Sequence, residues 1–199
     1  FVVPPAVATY PRIQAPYSKF ALEARSVIAN VLLTEEGFGS KKTLEGTLAY
    51  PMGQMSESVA KAVAASWEKV GVHMKLEARP LAEHRQALES GAYDVAIAPW
   101  PARGGDPLPY LFPLSRAAGP WNIARYDEGD FNRSLADADR AFDADGRLTY
   151  LRQAESLLIE DQIIIPLFFF TPQVAVSANL RGWQPNPAGA HPLRFLSLR

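Results

Sequence analysis

Between residues 44 and 99 the hydrophobic period changes four times, and this constrains the fold more than any other feature of the chain. Residues 44–50 are a short β-prone segment that ends at Pro51. From 56 to 70 the spacing becomes helical, with Val59, Val63, Trp67 and Val70 on one stripe. Val72, Met74, Leu76 and Ala78 then alternate with His73, Lys75, Glu77 and Arg79, the period of a strand with one buried face. Residues 81–90 follow Pro80 as a second helix, with Leu81, His84 and Leu88 on one face and Gly91 after it. The nearly continuous apolar run 93–99 predicts a strand covered on both faces. Short strands joined by helices imply a parallel sheet with right-handed crossovers. Ligands of such sheets sit beyond the carboxyl ends of the strands, which singles out the loops 51–55, 79–80 and above all 100–107.

The flanks are less regular. Pro4, Pro5, Pro11 and Pro16 punctuate residues 1–17, which predicts an extended arm lying on the surface. A helix capped by Ser18 is expected next, with Phe20, Leu22, Val27, Ile28, Val31 and Leu32 as its apolar residues and Gly37 as its stop; a polar turn follows at 39–42. Residues 106–114 contain three prolines and read as a short helix or turn, and 119–130 as a loop rich in aromatic and polar groups. Amphipathic helices are expected over 131–142 and 147–161, then β-prone runs at 163–170 and 174–177, and a proline-rich tail from Gly182.

Chemistry-bearing motifs are scarce. With no cysteine there is no disulfide framework, thiol nucleophile or thiolate-ligated zinc. His73, His84 and His191 fall on separate elements without a second ligand at metal spacing, so no metal is expected. Arg103-Gly104-Gly105-Asp106 follows a strand but lacks the phosphate-cradling pattern, and it is read as a loop. Glu35-Glu36, Asp127-Glu128 and Glu160-Asp161 do not form a matched acid and base, and no catalytic constellation emerges. The formal net charge of −1 argues against a nucleic-acid partner, and no apolar run approaches a membrane span. Aromatic residues give the clearest positive signal. Trp100 at a strand end and Trp121 in a loop are expected to offer binding surface, whereas Trp67 and Phe168–Phe170 are expected in the core.

Ala65-Ser66-Trp67-Glu68-Lys69-Val70-Gly71-Val72 with Lys75-Leu76, then Ser90-Gly91-Ala92-Tyr93-Asp94-Val95-Ala96, Trp100 and Asp106-Pro107-Leu108, occur in the order seen in family 5 extracellular solute-binding proteins. Asn122-Ile123-Ala124-Arg125-Tyr126 resembles that family's aromatic loop. Tyr150-Leu151-Arg152-Gln153-Ala154-Glu155, Ile164-Ile165-Pro166-Leu167 and the ending Arg194-Phe195-Leu196-Ser197-Leu198 resemble its later motifs.

The resemblance implies an α/β fold, a periplasmic-binding-protein type II-like lobe with a mostly parallel central sheet flanked by helices. It implies a peptide or similar small solute bound in a cleft between two lobes that close by a hinge, and delivery to the membrane subunits of an ABC importer in the periplasm or another extracytoplasmic space. No cofactor and no catalysis are implied. The chain opens Phe1-Val2-Val3-Pro4-Pro5 with neither Met nor a signal sequence, so it is expected to be the carboxyl-terminal lobe of a longer protein. Residues 1–16 would be a hinge crossing, 17–171 the lobe, and 172–199 a tail returning to a missing amino-terminal lobe. Trp100, Arg103, Trp121, Asn122 and Tyr126 would line this side of the cleft. In many peptide-binding members an Asp three residues after the matching Trp pairs with the ligand's α-ammonium; Arg103 stands there in this sequence. A ligand facing it should present an anionic or neutral group. The same fold serves as a ligand-sensing domain in transcriptional regulators, the alternative reading.

Overall fold

The structure is a computed structural model that describes residues 1–7, 9–100, 104–170, 174–184 and 191–199. Its centre is the expected parallel sheet. Strand β1 (Leu44–Pro51) lies between β2 (Val72–Arg79) and β3 (Val95–Ala96), and both pairings are parallel. Helix α2 (Gln54–Glu68) crosses from β1 to β2, and α3 (Leu81–Ser90) from β2 to β3. Ala60 of α2 is buried and Val63 packs with it against Leu48, Tyr50, Met74 and Leu76. Of the predicted stripe Val63 joins this core, whereas Val59, Trp67 and Val70 are half-buried outside it, so Trp67 is not the core residue expected.

Three further expectations in this region need correction. Alternation along β2 holds only to Leu76; it then slips, leaving Ala78 exposed and Glu77 half-buried beside Arg79. Leu81 is exposed, because α3 turns His84, Ala87 and Leu88 inward. The third strand pairs over two residues, and Val95 and Ala96 are half-buried rather than fully covered. Beyond it the ladder survives as one bond, from Ile97 N–H to Ala49 O at 2.8 Å.

A second, larger core is built from the chain's two ends. Helix α4 (Leu108–Leu111) and a following 3-10 turn, Phe112–Leu114, supply Tyr110, Leu111 and Leu114. Helices α5 (Gly129–Arg140) and α6 (Ala144–Asp161) add Phe131, Leu135, Ala138, Leu151, Ala154 and Leu158. The remaining buried residues are Tyr126 and, from the amino-terminal segment, Val2, Val3, Val7 and Tyr10. The amino-terminal arm is therefore not surface-lying. Pro4 and Pro5 shape a turn closed by Val7 N–H to Pro4 O, and Tyr10 N–H in turn reaches Val7 O, both 3.0 Å. The turns aim the intervening apolar side chains into the core, where burying each contributes roughly 1.5–3 kcal/mol.

Helix α1 runs over Leu22–Glu35, later than Ser18, which lies in the 3-10 turn Pro16–Lys19 and caps nothing. Gly37 does terminate it. With φ +81, Gly37 donates to Thr34 O while Phe38 N–H reaches back to Leu33 O, the paired bonds of a Schellman stop. Only Ser26, Ala29 and Leu33 of α1 are half-buried; the apolar residues Val27, Ile28, Val31 and Leu32 all face outward.

The β-prone runs 163–170 and 174–177 form no strand among the described residues, and Phe168–Phe170 are exposed rather than core. β propensity needs a neighbouring strand to be realised, and no strand of the described residues pairs there. Only Leu180–Arg181 (β4) and Ser197–Leu198 (β5) pair in the tail, antiparallel. No helix among the described residues is long and apolar enough to cross a membrane.

Candidate ligand-facing site

Strands β1 and β2 end level with each other, Pro51 opposite Arg79, and the chain beyond them remains tied: Met52 N–H donates to Arg79 O at 2.8 Å. Gly53, at φ +151, then opens α2, and Met52 and Met55 on either side of it are exposed. Arg79 is half-buried and fixed, giving Nε to Glu77 Oε1 at 2.7 Å and Nη1 to Ala92 O at 2.9 Å. Buried His84 bonds Ile97 O at 2.8 Å through Nε2; a carbonyl can only accept, so Nε2 carries the proton. That bond ties α3 to the chain leaving β3. His84 is thus a positioning group inside the fold, in keeping with its expected face.

After β3 comes the loop singled out above. Trp100 is half-buried on the larger core, and its indole N–H donates to Tyr110 O at 2.9 Å. Its hydrogen-bonding group is therefore engaged within the protein. Arg103 lies outside the described residues. Where the chain is described again, Asp106 Oδ1 accepts Leu108 N–H at 2.7 Å, and Asp106 Oδ2 pairs with Arg147 of α6 at 3.1 Å. These bonds pin the far end of the loop to both α4 and α6.

The structure brings Asn122 and Tyr126 together and leaves the side chain of neighbouring Trp121 exposed. The Asn122 side chain clasps the backbone of Tyr126: Nδ2 donates to Tyr126 O at 2.8 Å and Oδ1 accepts Tyr126 N–H at 3.2 Å. This closes a tight loop in which Arg125 adopts φ +53. Tyr126 is buried, its ring edge-on to Phe131 at 5.1 Å and its hydroxyl donating to Asp161 Oδ2 at 2.7 Å. Burial first, and then the Asp161 carboxylate, push the Tyr126 phenol well above its ordinary value. Tyr93 fastens the same loop from below, its hydroxyl donating to Ile123 O at 2.6 Å. Of the four predicted residues that are described, Trp121 alone is largely open, at 79% exposure. It ends the 3-10 segment Arg116–Trp121, which is held by Arg116 N–H on Asn132 Oδ1 at 2.8 Å and Arg116 Nε on Asp127 Oδ1 at 2.6 Å.

Two groups that reading by motif passed over organise this site. Asp161 receives Tyr126. Glu155, fully buried on α6, receives the backbone of the amino-terminal arm. Glu155 had a legible signal, because it falls on the same helical stripe as Leu151, Ala154 and Leu158. Among the described residues no three His, Asp or Glu side chains come together as a metal would require.

A three-stranded parallel sheet with two helical crossovers, whose ligand-facing loops are braced by a separate helical core, defines one lobe of a periplasmic-binding-protein fold. Solved structures agree. The unliganded open form of the periplasmic murein tripeptide-binding protein MppA superposes with a TM-score of 0.85 at 25% identity, covering 98% of this chain and 38% of that one. Haemophilus influenzae OppA in complex with RPPGFSPFR superposes with a TM-score of 0.82 at 26% identity, over 94% and 37%. Among curated relatives, the periplasmic murein peptide-binding protein MppA of Escherichia coli is 27% identical over 184 residues, 92% of this chain and 34% of its own length. The periplasmic oligopeptide-binding protein OppA of Salmonella typhimurium is 28% identical over 183 residues, 91% and 33%. Residues 1–122 match the bacterial extracellular solute-binding proteins, family 5 Middle, and the chain belongs to that family. It spans about a third of the length of the curated relatives it matches.

Proposed function

We propose that this chain supplies one lobe of a protein that binds a peptide or similar small solute between two lobes outside the cytoplasmic membrane and hands it to an ABC importer. Residues 1–16 form the hinge crossing, 17–171 the lobe, and 172–199 a tail that returns toward the amino-terminal lobe. The observation that supports this most is the superposition on MppA across nearly the whole chain. Relatives carry names of peptide binders, which supports the same reading.

Within this reading the five aromatic and polar residues divide the work. Trp121 offers rigid apolar area to the ligand, and Arg103 meets an anionic or neutral ligand group. Trp100, Asn122 and Tyr126 hold the loops that carry them. The reading is tested by native mass spectrometry of the full-length protein purified from its host, where a co-purifying peptide is expected. Isothermal titration with free and N-acetylated peptides then tests Arg103. Acetylation should leave binding intact; its loss on acetylation would show that the ligand's ammonium is recognised after all.

A further inference from the structure

Glu155 has 0% exposure in the middle of α6. Its Oε1 accepts the N–H groups of Val2, at 2.5 Å, and Val3, at 3.1 Å, and so seats the amino-terminal segment on the lobe. Its other oxygen, Oε2, is buried without a hydrogen-bond partner. The hydroxyl of Tyr10, from the same segment, is buried without one as well. The two groups lie close enough to act on each other. Among the described residues Glu155 is the one fully buried acidic side chain, and no Lys or Arg is fully buried with it. An ionised carboxylate held there is costly. A proton on Oε2 removes the cost, and Oε1 continues to accept both backbone N–H groups.

We propose that Glu155 is the positioning residue of the amino-terminal segment, and that it holds the segment most firmly in its seat as the neutral acid. Of the surrounding charges, Arg152 of α6 acts on Tyr10. Burial raises the Glu155 carboxyl above its ordinary range, against the opposing pull of the Val3 and Val2 N–H groups and of Tyr10. A carboxyl raised in the seated state binds its proton more tightly there than when released. The seat is therefore firmest below the usual carboxylate range and loosens as pH rises through the raised value. If residues 1–16 are the crossing between lobes, a point that rests on the function proposed above, Glu155 also sets how firmly that crossing is anchored.

Hydrogen exchange of the full-length protein, followed by mass spectrometry across a pH series without ligand and corrected for intrinsic rates, tests this independently of peptide binding. In the wild type, protection of residues 2–10 should fall as pH rises. Glu155→Gln, which reproduces the neutral acid's acceptor and donor, should keep the protection and make it flat with pH. Glu155→Ala should lose protection by about tenfold or more at every pH, the loss expected when two such bonds go. Should Glu155→Ala fail to fold, Tyr10→Phe serves: it removes the hydroxyl that pulls the Glu155 carboxyl down and should move the loosening to higher pH. Release of the segment in Glu155→Gln to the extent seen in the alanine variant, wild-type protection that rises with pH, or an unmoved profile in Tyr10→Phe would each overturn the proposal.

Discussion

Asn122 and Tyr126 show how a residue that reads as a binding group can be used up by the fold. Both amide atoms of Asn122 are engaged by one neighbour's backbone, and the Tyr126 hydroxyl is given to Asp161. Replacing Asn122 by Ala leaves the partly buried Tyr126 N–H and C=O without partners, a change expected to cost about 1–3 kcal/mol. Tyr126→Phe keeps the ring contact with Phe131 and loses one bond to a charged acceptor, worth about 1–2 kcal/mol. Urea denaturation should register both as lower midpoints with unchanged slope. Trp121→Ala is the counter-case: with the indole 79% exposed, the midpoint should barely move while, on the function proposed above, affinity for a peptide falls about tenfold or more. A large loss of stability and no loss of affinity would remove Trp121 from the ligand-facing set. Composition and position could nominate all these residues, since Trp and Tyr in loops commonly bind. They could not separate Trp121 from Tyr126, because that depends on Asp161 and Phe131, which are distant in sequence and near only once α5 and α6 have packed.

Elements whose partners lie close in sequence were legible, and those with distant or absent partners were not. The β1–α2–β2–α3 run was readable because each strand's neighbour arrives within one crossover, so periodicity and pairing agree. Strand β3 shows the limit. Its apolar run predicts seven strand residues, yet only Val95 and Ala96 pair, since nothing covers the ladder beyond Ile97 except the bond from His84 to Ile97 O. The arm was misread for the complementary reason: proline argued for extension, but the core it enters is made by α4 to α6, more than a hundred residues later. Local chemistry still governs element ends. Gly91 stops α3 at φ +70, and the Arg125 guanidinium lies where a Cβ would be, its Nη2 donating to Ser90 O. Gly91→Ala therefore combines a disfavoured backbone with a displaced Arg125, at a cost of about 1–2 kcal/mol. It should lower the midpoint and also raise exchange at residues 122–126. Unchanged exchange there would show that Arg125 does not couple α3 to the aromatic loop.

At the scale of the whole molecule, two runs of apolar residues stand without cover. One is the outward stripe of α1, Val27, Ile28, Val31 and Leu32; the other is the unpaired run from Ile165 to Phe170. Neither is a sequence error. Both have the spacing or β-branched and aromatic content of buried elements, and both lack a facing element among the described residues. Since the chain spans about a third of its relatives' length, a full-length protein of their size has the material to cover them. Water-exposed apolar stripes of this kind favour association when that material is withheld. The 199-residue chain on its own is therefore expected to self-associate, with a sedimentation coefficient that rises with concentration, and to bind a hydrophobic dye. Val27→Lys with Val31→Lys places two charges on the α1 stripe without touching Ser26, Ala29 or Leu33, the residues that face the body. That double variant should shift the chain toward monomer while leaving its unfolding midpoint within about 0.5 kcal/mol of wild type, as for other surface changes. A wild-type chain that stays monomeric at every concentration would mean that the stripe needs no cover. A double variant that unfolds would mean that the stripe already packs within this lobe.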